Sequence, residues 1–282
     1  MHTGLIATVL LGAAAALILL AGLVRVLEPR LAFFPLAGET VTPREFGLPY
    51  EQETVDTRDG ERLRAWSIVR PRARARVLYF HGNGGNLSVW APILAGVAGR
   101  GFSVFAFDYR GYGASTGRPS ERGLYRDVEA VLERFWHAAA ADGAPVTYWG
   151  RSLGVAMAAY AATLRAPDGL ILESGFPDAR ALIGASPVLR LLAPFSTYRF
   201  AARDFVRRLG PAVPVLVLHG DDDHVVPFAQ GQALYDAVAA PKRFVTIRGG
   251  DHNDVAAPDP DAYWRAVGEF VGSLAGDPSA AP

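Results

Sequence analysis

The first pattern along the chain is an almost unbroken apolar run over residues 5–27, which carries no charge before Arg25. A helix of this length, at about 1.5 Å per residue, crosses a hydrocarbon core of roughly 30 Å. A cleaved signal peptide, the alternative, has a basic start and a shorter apolar stretch. Residues 1–27 therefore predict a single-pass membrane anchor. Because Arg25, Arg30 and Arg44 follow the apolar run, the positive-inside rule favours a cytoplasmic location for the rest of the chain.

Polar and apolar positions alternate on both sides of an Arg58-Asp59-Gly60 turn within residues 53–69. This pattern is typical of an antiparallel hairpin at the edge of a sheet. A folded domain is therefore expected to begin at this hairpin. Residues 28–52 are rich in Pro, Phe and Leu, and they are expected to form a packed linker.

Beyond the hairpin, short continuous apolar runs alternate with helical segments. The runs predicted as strands cover residues 77–80, 103–107, 146–149, 170–172, 213–218 and 243–247. One helix is predicted over residues 88–98, and apolar stripes predict two more within residues 124–135 and 263–274. Continuously apolar strands separated by helices predict an α/β fold, in which helices cover both faces of a mainly parallel sheet. Functional groups are then expected at the carboxyl ends of the strands.

The domain is predicted to span residues 53–276, and the Ala/Pro/Ser-rich tail at 277–282 is predicted to be disordered. Between two of the strands, residues 175–211 contain many Leu, Phe and Tyr side chains. This segment is too short for a full cap domain and predicts a short lid that leaves the site fairly open. Its apolar residues suit an acyl chain, although packing on the domain accounts for most of them.

The composition narrows the classes of function. The chain has 282 residues, half of them hydrophobic, which is enough for one large domain with a substantial core. Its formal net charge is zero, so there is no basic field to attract nucleic acid, and no nucleic-acid partner is expected. It has no cysteine, which excludes disulfides, thiolate metal sites and a cysteine nucleophile.

The predicted strand at 146–149 leads into Gly150-Arg151-Ser152-Leu153-Gly154 and then into an alanine-rich helix. Glycines on both sides permit a sharp turn that leaves the Ser152 hydroxyl exposed at the start of a helix. The pentapeptide alone is a weak signal, since a small residue can simply pack at such a turn. With a strand before it and a helix after it, the segment predicts a nucleophile elbow centred on Ser152.

A serine nucleophile needs a base to accept its proton and a carboxylate to orient that base. Two later strands end in His219-Gly220-Asp221-Asp222-Asp223-His224 and in Gly249-Gly250-Asp251-His252. The order serine, acid, histidine is the one that this kind of elbow requires. His252 is the candidate base, because its rival His224 would leave the glycine-flanked loop of His252 without a role. The residues alone do not choose among the three aspartates.

The Asp-Asp-Asp-His segment at 221–224 also invites a metal interpretation, because carboxylates and imidazole bind divalent cations. Four consecutive residues on a turn cannot all point at one ion, and the chain has neither an HExxH nor an EF-hand pattern. No metal is therefore expected.

A tetrahedral intermediate needs two backbone donors for its oxyanion. The amide of Leu153, directly after the nucleophile, is the first, and the second is expected from the glycine-rich residues 81–86, His-Gly-Asn-Gly-Gly-Asn. The alternative for this loop is phosphate binding. Its spacing matches neither GxGxxG nor a Walker pattern, which argues against a nucleotide.

Four segments together resemble the membrane-anchored α/β-hydrolase domain proteins, a family of serine hydrolases. They are His81-Gly-Asn-Gly-Gly-Asn86, Asp108-Tyr-Arg-Gly-Tyr-Gly-Ala-Ser115, Gly150-Arg-Ser-Leu-Gly154 and His219-Gly-x-x-Asp223-x-x-Val-Pro227. The resemblance covers roughly residues 53–274 and implies an α/β-hydrolase fold. It also implies that the acid is Asp223 and that the second oxyanion amide belongs to Asn83.

These observations predict a hydrolase that cleaves a carboxylic ester or acyl thioester through Ser152, Asp223 and His252. The expected substrate is a small molecule or a lipid with an acyl chain, no cofactor is needed, and the substrate-binding residues stay unassigned. Three alternatives remain: a non-catalytic, membrane-tethered scaffold or binding protein, a serine peptidase, and a secreted hydrolase with a cleaved signal. The intact set of catalytic roles argues against the scaffold. The lack of a propeller or large gating domain argues against the peptidase.

Overall fold

The N-terminal apolar run forms one long helix, α1 (His2–Ala32), in a computed structural model that describes residues 2–139, 143–187 and 189–274. The helix is long and apolar enough to cross a membrane, and its apolar side chains are exposed. It continues past the predicted end at Leu27 because its last turn is covered by the folded domain. Glu28 in that turn and Phe33 directly after it are buried.

An eight-stranded sheet forms the centre of the domain. Its strands, in spatial order, are β10 (Lys242–Ile247), β9 (Val215–Gly220), β8 (Gly169–Glu173), β7 (Val146–Arg151), β4 (Arg76–Phe80), β6 (Ser103–Phe107), β3 (Arg62–Ile68) and β2 (Glu51–Asp56). The six strands from β10 to β6 run parallel, while β2, β3 and β6 pair antiparallel. The predicted edge hairpin and the predicted parallel sheet are both confirmed. The strand predicted at 213–218 begins later, at Val215.

Side chains of each central strand alternate between two hydrophobic cores, one on each face of the sheet. In β4, Leu78 and Phe80 belong to one core, and Val77 and Tyr79 belong to the other. A strand buried on both faces has to be apolar at every position, which is why these strands read as continuous apolar runs. The α/β-hydrolase fold expected from the sequence is therefore present.

Helices cover both faces of this sheet, and all of them except α7 coincide with predicted helical segments. They are α2 (Leu87–Gly99), α3 (Glu121–Ala139), α4 (Leu153–Leu164), α7 (Phe228–Ala237) and α8 (Pro260–Leu274). The stripe within residues 124–135 forms the buried face of α3, where Leu124, Val128, Val131 and Phe135 lie in the core. The amphipathic period of the sequence therefore identified the correct face.

The segment predicted as a lid, residues 175–211, leaves the carboxyl end of β8 and returns to the amino end of β9. Residues 175–211 are called the lid from here on. The described part of the lid contains two short helices, α5 (Ala179–Ala185) and α6 (Ala202–Val206), and a 3₁₀ turn at Ala193–Phe195. The predicted domain end at residue 276 and the predicted disordered tail at 277–282 lie outside the described residues.

Residues 28–52, predicted as a packed linker, run along the carboxyl ends of the sheet strands. A two-residue strand, β1 (Phe34–Pro35), pairs in parallel with β5 (Gly84–Gly85), and Ala37 bridges to Gly113. A 3₁₀ turn at Pro43–Phe46 follows, with a capping box formed by Thr42 and Glu45. The segment that joins α1 to the domain is thus hydrogen-bonded to the glycine-rich loop after β4.

Candidate active site

The turn at Ser152 joins the end of β7 to the start of α4. Ser152 has φ 54° and ψ −119°, a conformation that L-residues rarely adopt. A Cβ at Gly154 would lie 2.0 Å from the carbonyl oxygen of Phe80, and one at Gly150 would lie 2.3 Å from that of Gly154. The Ser152 amide also donates to the carbonyl of Glu173 at 2.9 Å. Both glycines are therefore required, and the turn has the strained geometry of a nucleophile elbow.

Ser152, His252 and Asp223 form a continuous chain of hydrogen bonds. His252 Nε2 lies 3.0 Å from Ser152 Oγ, and His252 Nδ1 lies 2.8 Å from Asp223 Oδ2. With the Nδ1 proton donated to the carboxylate, Nε2 is free to accept the proton of the serine hydroxyl. All three residues are buried at the carboxyl ends of the strands. The structure brings the three residues of the sequence prediction together.

The carboxylate of Asp223 is held in its ionised form. Burial raises the pKa of Asp223, but hydrogen bonds from His219 and His252 outweigh burial and bring the pKa well below its ordinary value. Its Oδ1 also accepts the backbone amides of Val225 at 2.9 Å and Val226 at 2.7 Å. Asp223 therefore presents a fixed negative charge to His252 at neutral pH.

The neighbouring aspartates and the rival histidine lie elsewhere. Asp221 and Asp222 are exposed, and the Asp221 carboxylate accepts the amide of Gly249 at 2.6 Å. His224 is also exposed, with Nδ1 3.4 Å from Asp251 Oδ1. Among the described residues no group of three or more His, Cys, Asp and Glu side chains could hold a metal ion. Only Asp223 of the three aspartates faces His252.

A buried ion pair lies beneath His252, and sequence reasoning missed it. Arg151 Nη2 donates to the carbonyl oxygen of His252 at 2.7 Å, and Arg151 Nη1 lies 3.5 Å from Glu173 Oε1. Glu173 Oε2 in turn accepts Trp149 Nε1 at 2.9 Å and the Tyr263 hydroxyl at 3.0 Å. Arg151 thereby ties the His252 loop to β7 and β8. The available signal was one charged residue at the end of each of two otherwise apolar strands.

The two predicted oxyanion donors lie on either side of Ser152. Leu153 is the first residue of α4, and Asn83 lies in the loop between β4 and β5. A Cβ at Gly82 would lie 3.5 Å from the Ser152 Cβ, so the backbone of this loop passes directly beside the serine. The backbone amides of Asn83 and Leu153 are therefore the candidates for binding an oxyanion.

Hydrogen bonds from the N-terminal segment fix the position of Asn83. Its carbonyl accepts the amide of Phe34 at 2.9 Å and the hydroxyl of Tyr112 at 2.8 Å. Its side-chain Nδ2 donates to the carbonyl of Ala32, the last residue of α1, at 3.1 Å. The glycine-rich loop is thus attached directly to the end of α1.

A buried histidine and a buried aspartate support this loop from below. His81 Nδ1 donates to the carbonyl of Gly82 at 2.7 Å, and Asp108 Oδ1 accepts the amide of Leu87 at 2.8 Å. Burial lowers the pKa of His81 to about 4 and raises the pKa of Asp108 to about 8. Burial thus favours the neutral form of both side chains. A Cβ at Gly113 would lie 2.0 Å from Asp108 Oδ2, so the site of Asp108 requires glycine there.

This fold and this arrangement of serine, histidine and aspartate define the class of α/β hydrolases, and comparison with known proteins agrees. The sequence pattern of the α/β hydrolase fold family matches residues 75–213. The uncharacterized protein Rv2307c of Mycobacterium tuberculosis is 35% identical over 86% of this chain and 87% of its own length. The chain belongs to the α/β-hydrolase family.

Two further similarities concern the membrane and the fold. The uncharacterized membrane protein YNL320W of Saccharomyces cerevisiae is 32% identical over 82% of each chain. Together with the apolar helix α1, this similarity indicates membrane association. The esterase Pf2001 of Pyrococcus furiosus superimposes with a TM-score of 0.71 at 18% identity, covering 86% of this chain and 97% of the esterase. At that identity the likeness concerns the fold alone.

Proposed function

We propose that this protein is a membrane-anchored serine hydrolase that cleaves a carboxylic ester or an acyl thioester. The observation that carries the proposal is the hydrogen-bonded chain from Ser152 through His252 to Asp223, with distances of 3.0 and 2.8 Å. It starts at a strained strand-to-helix turn, where a serine hydroxyl is held at the start of a helix. The family assignment supports hydrolysis in general.

In the proposed reaction Ser152 Oγ attacks the acyl carbonyl carbon while its proton passes to His252 Nε2. The amides of Asn83 and Leu153 bind the oxyanion, and Asp223 stabilises the imidazolium that forms. The intermediate collapses, and the alcohol or thiol leaves with the proton from His252. Water then attacks the acyl-enzyme and gives a proton to His252. The carboxylic acid leaves, and Ser152 recovers its proton. This sequence of steps uses no cofactor and no metal.

The substrate is proposed to be a small molecule or a lipid with an acyl chain, met at the surface of the membrane in which α1 is embedded. The catalytic domain is proposed to be cytoplasmic, because Arg25, Arg30 and Arg44 follow the apolar run. Protease treatment of intact cells tests on which side of the membrane the catalytic domain lies. A cytoplasmic domain is protected until the membrane is permeabilised.

A fluorophosphonate probe, applied to membranes that contain the full chain, tests the catalytic proposal. Wild type is expected to label, and Ser152→Ala is expected to lose labelling and to lose turnover by about 10⁴-fold or more. Ser174→Ala is a matched control, since Ser174 is also buried at a strand end with φ 50°. Equal labelling of Ser152→Ala, or an unlabelled wild type, would refute the proposal and favour a non-catalytic binding protein.

A second assay distinguishes esterase from peptidase activity. The same acyl group is offered as an oxygen ester, as a thioester and as an amide of matched leaving groups. Faster turnover of the ester and thioester supports the proposal, whereas preferential cleavage of the amide would reassign the protein as a peptidase.

A further inference from the structure

Glu28, in the last turn of α1, is buried although it directly follows the apolar run that ends at Leu27. Its carboxylate accepts hydrogen bonds from four donors in one stretch of the lid. They are the Ser196 hydroxyl, the Thr197 amide at 3.0 Å, the Thr197 hydroxyl at 2.5 Å and the Tyr198 amide at 3.2 Å. The anchor helix thus holds the lid through a single, fully engaged carboxylate.

Aromatic packing strengthens the same junction. Phe33 is buried, with its ring 5.6 Å from that of Tyr198 and 6.1 Å from that of Phe200. The amides of Arg199 and Phe200 both donate to Glu121 of α3, each at 2.7 Å. This stretch of the lid is therefore fixed between the anchor helix and the domain.

The junction defines how deep the lid lies relative to a membrane. Glu28 directly follows the last residue of the apolar run, so when α1 spans a membrane the lid residues bonded to Glu28 lie near the bilayer surface. Large apolar side chains are exposed on both sides of the junction: Leu31, Phe34 and Leu36 after the anchor, and Leu189 and Leu191 in the lid. Leu191 is 76% exposed. Leu31 and Phe34 directly prolong the exposed apolar run of α1 towards the domain.

The junction also borders the candidate active site. Ala32, one turn beyond Glu28, accepts the side chain of Asn83 in the oxyanion loop. The lid itself starts next to Ser152, whose amide bonds to Glu173 at the end of β8. The oxyanion loop, which passes beside Ser152, and the lid, which begins two residues after Glu173, are therefore both bonded to the last residues of α1.

We propose that the lid docks on the bilayer surface, with Leu189 and Leu191 inserted among the lipids and Glu28 holding the lid at that depth. In this arrangement the entrance to the site faces lipid, and acyl chains reach Ser152 from the bilayer. This inference rests on the proposed hydrolase function for its substrate, but the docking itself is a separate physical statement. Glu28 acts as a positioning residue, through the lid.

The absence of cysteine from the chain permits a direct test of docking. Leu191→Cys in the full-length protein is labelled with nitrobenzoxadiazole and reconstituted into phosphatidylcholine vesicles that contain a doxyl-labelled lipid. Leu164→Cys is the matched control, since Leu164 is also exposed but ends α4 at the end of the helix far from Ser152 and Glu28. Quenching several-fold stronger at position 191 supports docking. Equal quenching at the two positions would overturn it.

The role of Glu28 is tested in the Leu191→Cys background. Glu28→Ala removes every acceptor, and it is expected to reduce quenching at position 191 to the level at position 164. Glu28→Gln keeps a carbonyl acceptor of the same shape and is expected to retain most of the quenching. If Glu28→Ala folds and leaves the quenching unchanged, Glu28 does not set the depth of the lid.

Activity links docking to the substrate. For wild type and variants, kcat/KM is measured on a long-chain ester in vesicles and on a short, water-soluble ester. Leu191→Asp is expected to lower the ratio of the two values, mainly by raising KM for the vesicle substrate, whereas Leu164→Asp leaves the ratio unchanged. An unchanged ratio in Leu191→Asp would overturn the bilayer route. A wild type that is not labelled by the fluorophosphonate would instead refute the hydrolase proposal. The quenching comparison would still decide whether the lid docks on the bilayer.

Discussion

The two sides of the candidate site are held by different forces. The triad side comprises Ser152, Asp223 and His252, and beneath them the buried ion pair of Arg151 and Glu173 connects to the loop of His252. The oxyanion side is the loop over residues 81–86. Backbone hydrogen bonds from the N-terminal segment hold it, and neutral buried side chains support it.

Because of this difference, the two sides are expected to respond differently to single substitutions. Burying an ion pair costs solvation, and removal of one partner leaves the other charge without compensation. The triad side is therefore expected to respond strongly to single changes of charge. On the oxyanion side each hydrogen bond is individually weak. Single substitutions there are therefore expected to lower kcat much less than substitutions on the triad side.

The largest effect is expected from Asp223→Asn, which removes the acceptor of the His252 Nδ1 proton and favours the wrong tautomer. We expect kcat to fall about 10⁴-fold. Asp222→Asn, an exposed neighbour, is the control and should keep wild-type activity. A collapse of turnover at Asp222 rather than Asp223, measured under saturating substrate, would show that another aspartate orients the base.

Arg151→Met tests the support beneath His252. It removes the bond to the His252 carbonyl and leaves Glu173 buried without its cation, so kcat should fall about 100-fold and unfolding free energy by about 3–5 kcal/mol. Denaturant titration and steady-state kinetics measure the two effects. Adding Glu173→Gln to Arg151→Met should restore part of the stability but not the rate. Additive losses in the double variant would contradict coupling between the two charges.

Asn83→Ala examines the oxyanion side. The backbone amide is kept, but the bond from the side chain to the carbonyl of Ala32 is lost. Losing one hydrogen bond of about 1 kcal/mol corresponds to roughly a fivefold fall in kcat, with KM nearly constant. A loss as large as that of Arg151→Met would mean that the two sides are equally sensitive to single changes.

The smallest effect is expected from Asp108→Asn, which should change how the free energy of unfolding depends on pH. The pKa of Asp108 is raised to about 8 in the folded state, so its stabilising contribution is complete below the unfolded pKa and is lost as pH rises towards 8. The pKa of His81 is lowered to about 4, so its contribution is lost as pH falls from about 6.5. Below pH 6.5 the two contributions to the free energy of unfolding change in opposite directions with pH. Above pH 6.5 only the loss of the Asp108 contribution remains.

We therefore expect wild type to lose about 1–2 kcal/mol of unfolding free energy between pH 6.5 and 8 from this source. Asp108→Asn should flatten the profile over that interval, while Asp222→Asn, at an exposed position, should keep the wild-type slope. Unfolding titrations at several pH values provide the measurement. If Asp108→Asn keeps the wild-type slope of unfolding free energy against pH, a group other than Asp108 causes the pH dependence.

The sequence predicted the sheet, the helices and the candidate residues on the triad side because each leaves a local signal. Strands buried on both faces are apolar throughout, and the turn at Ser152 requires glycines at fixed spacing. The choice of Asp223 among three aspartates came from family resemblance. In the structure, what separates it from its neighbours is burial of its carboxylate against His252.

The supporting interactions were not predictable from local pattern, since their partners are far apart in the sequence. Arg151 bonds to His252, and Glu28 bonds to residues 196–198. A charged residue in an apolar run shows that some partner must exist, but only the folded chain determines which one. Hydropathy likewise located the end of the apolar run at Leu27, whereas the helix ends where the domain covers it.

The last turn of α1 is attached to both the lid and the oxyanion loop, and this limits how far α1 can be exchanged for another helix. A membrane tether is commonly interchangeable, because a linker separates it from the unit it carries. In this chain the separable boundary lies before Glu28, since Glu28, Ala32 and Phe34 all make bonds to the lid or to the oxyanion loop. Exchange of the tether for another membrane helix must therefore preserve those residues. A soluble form that starts close to β2 (Glu51–Asp56) gives up the contacts that hold the lid and the oxyanion loop of the candidate site.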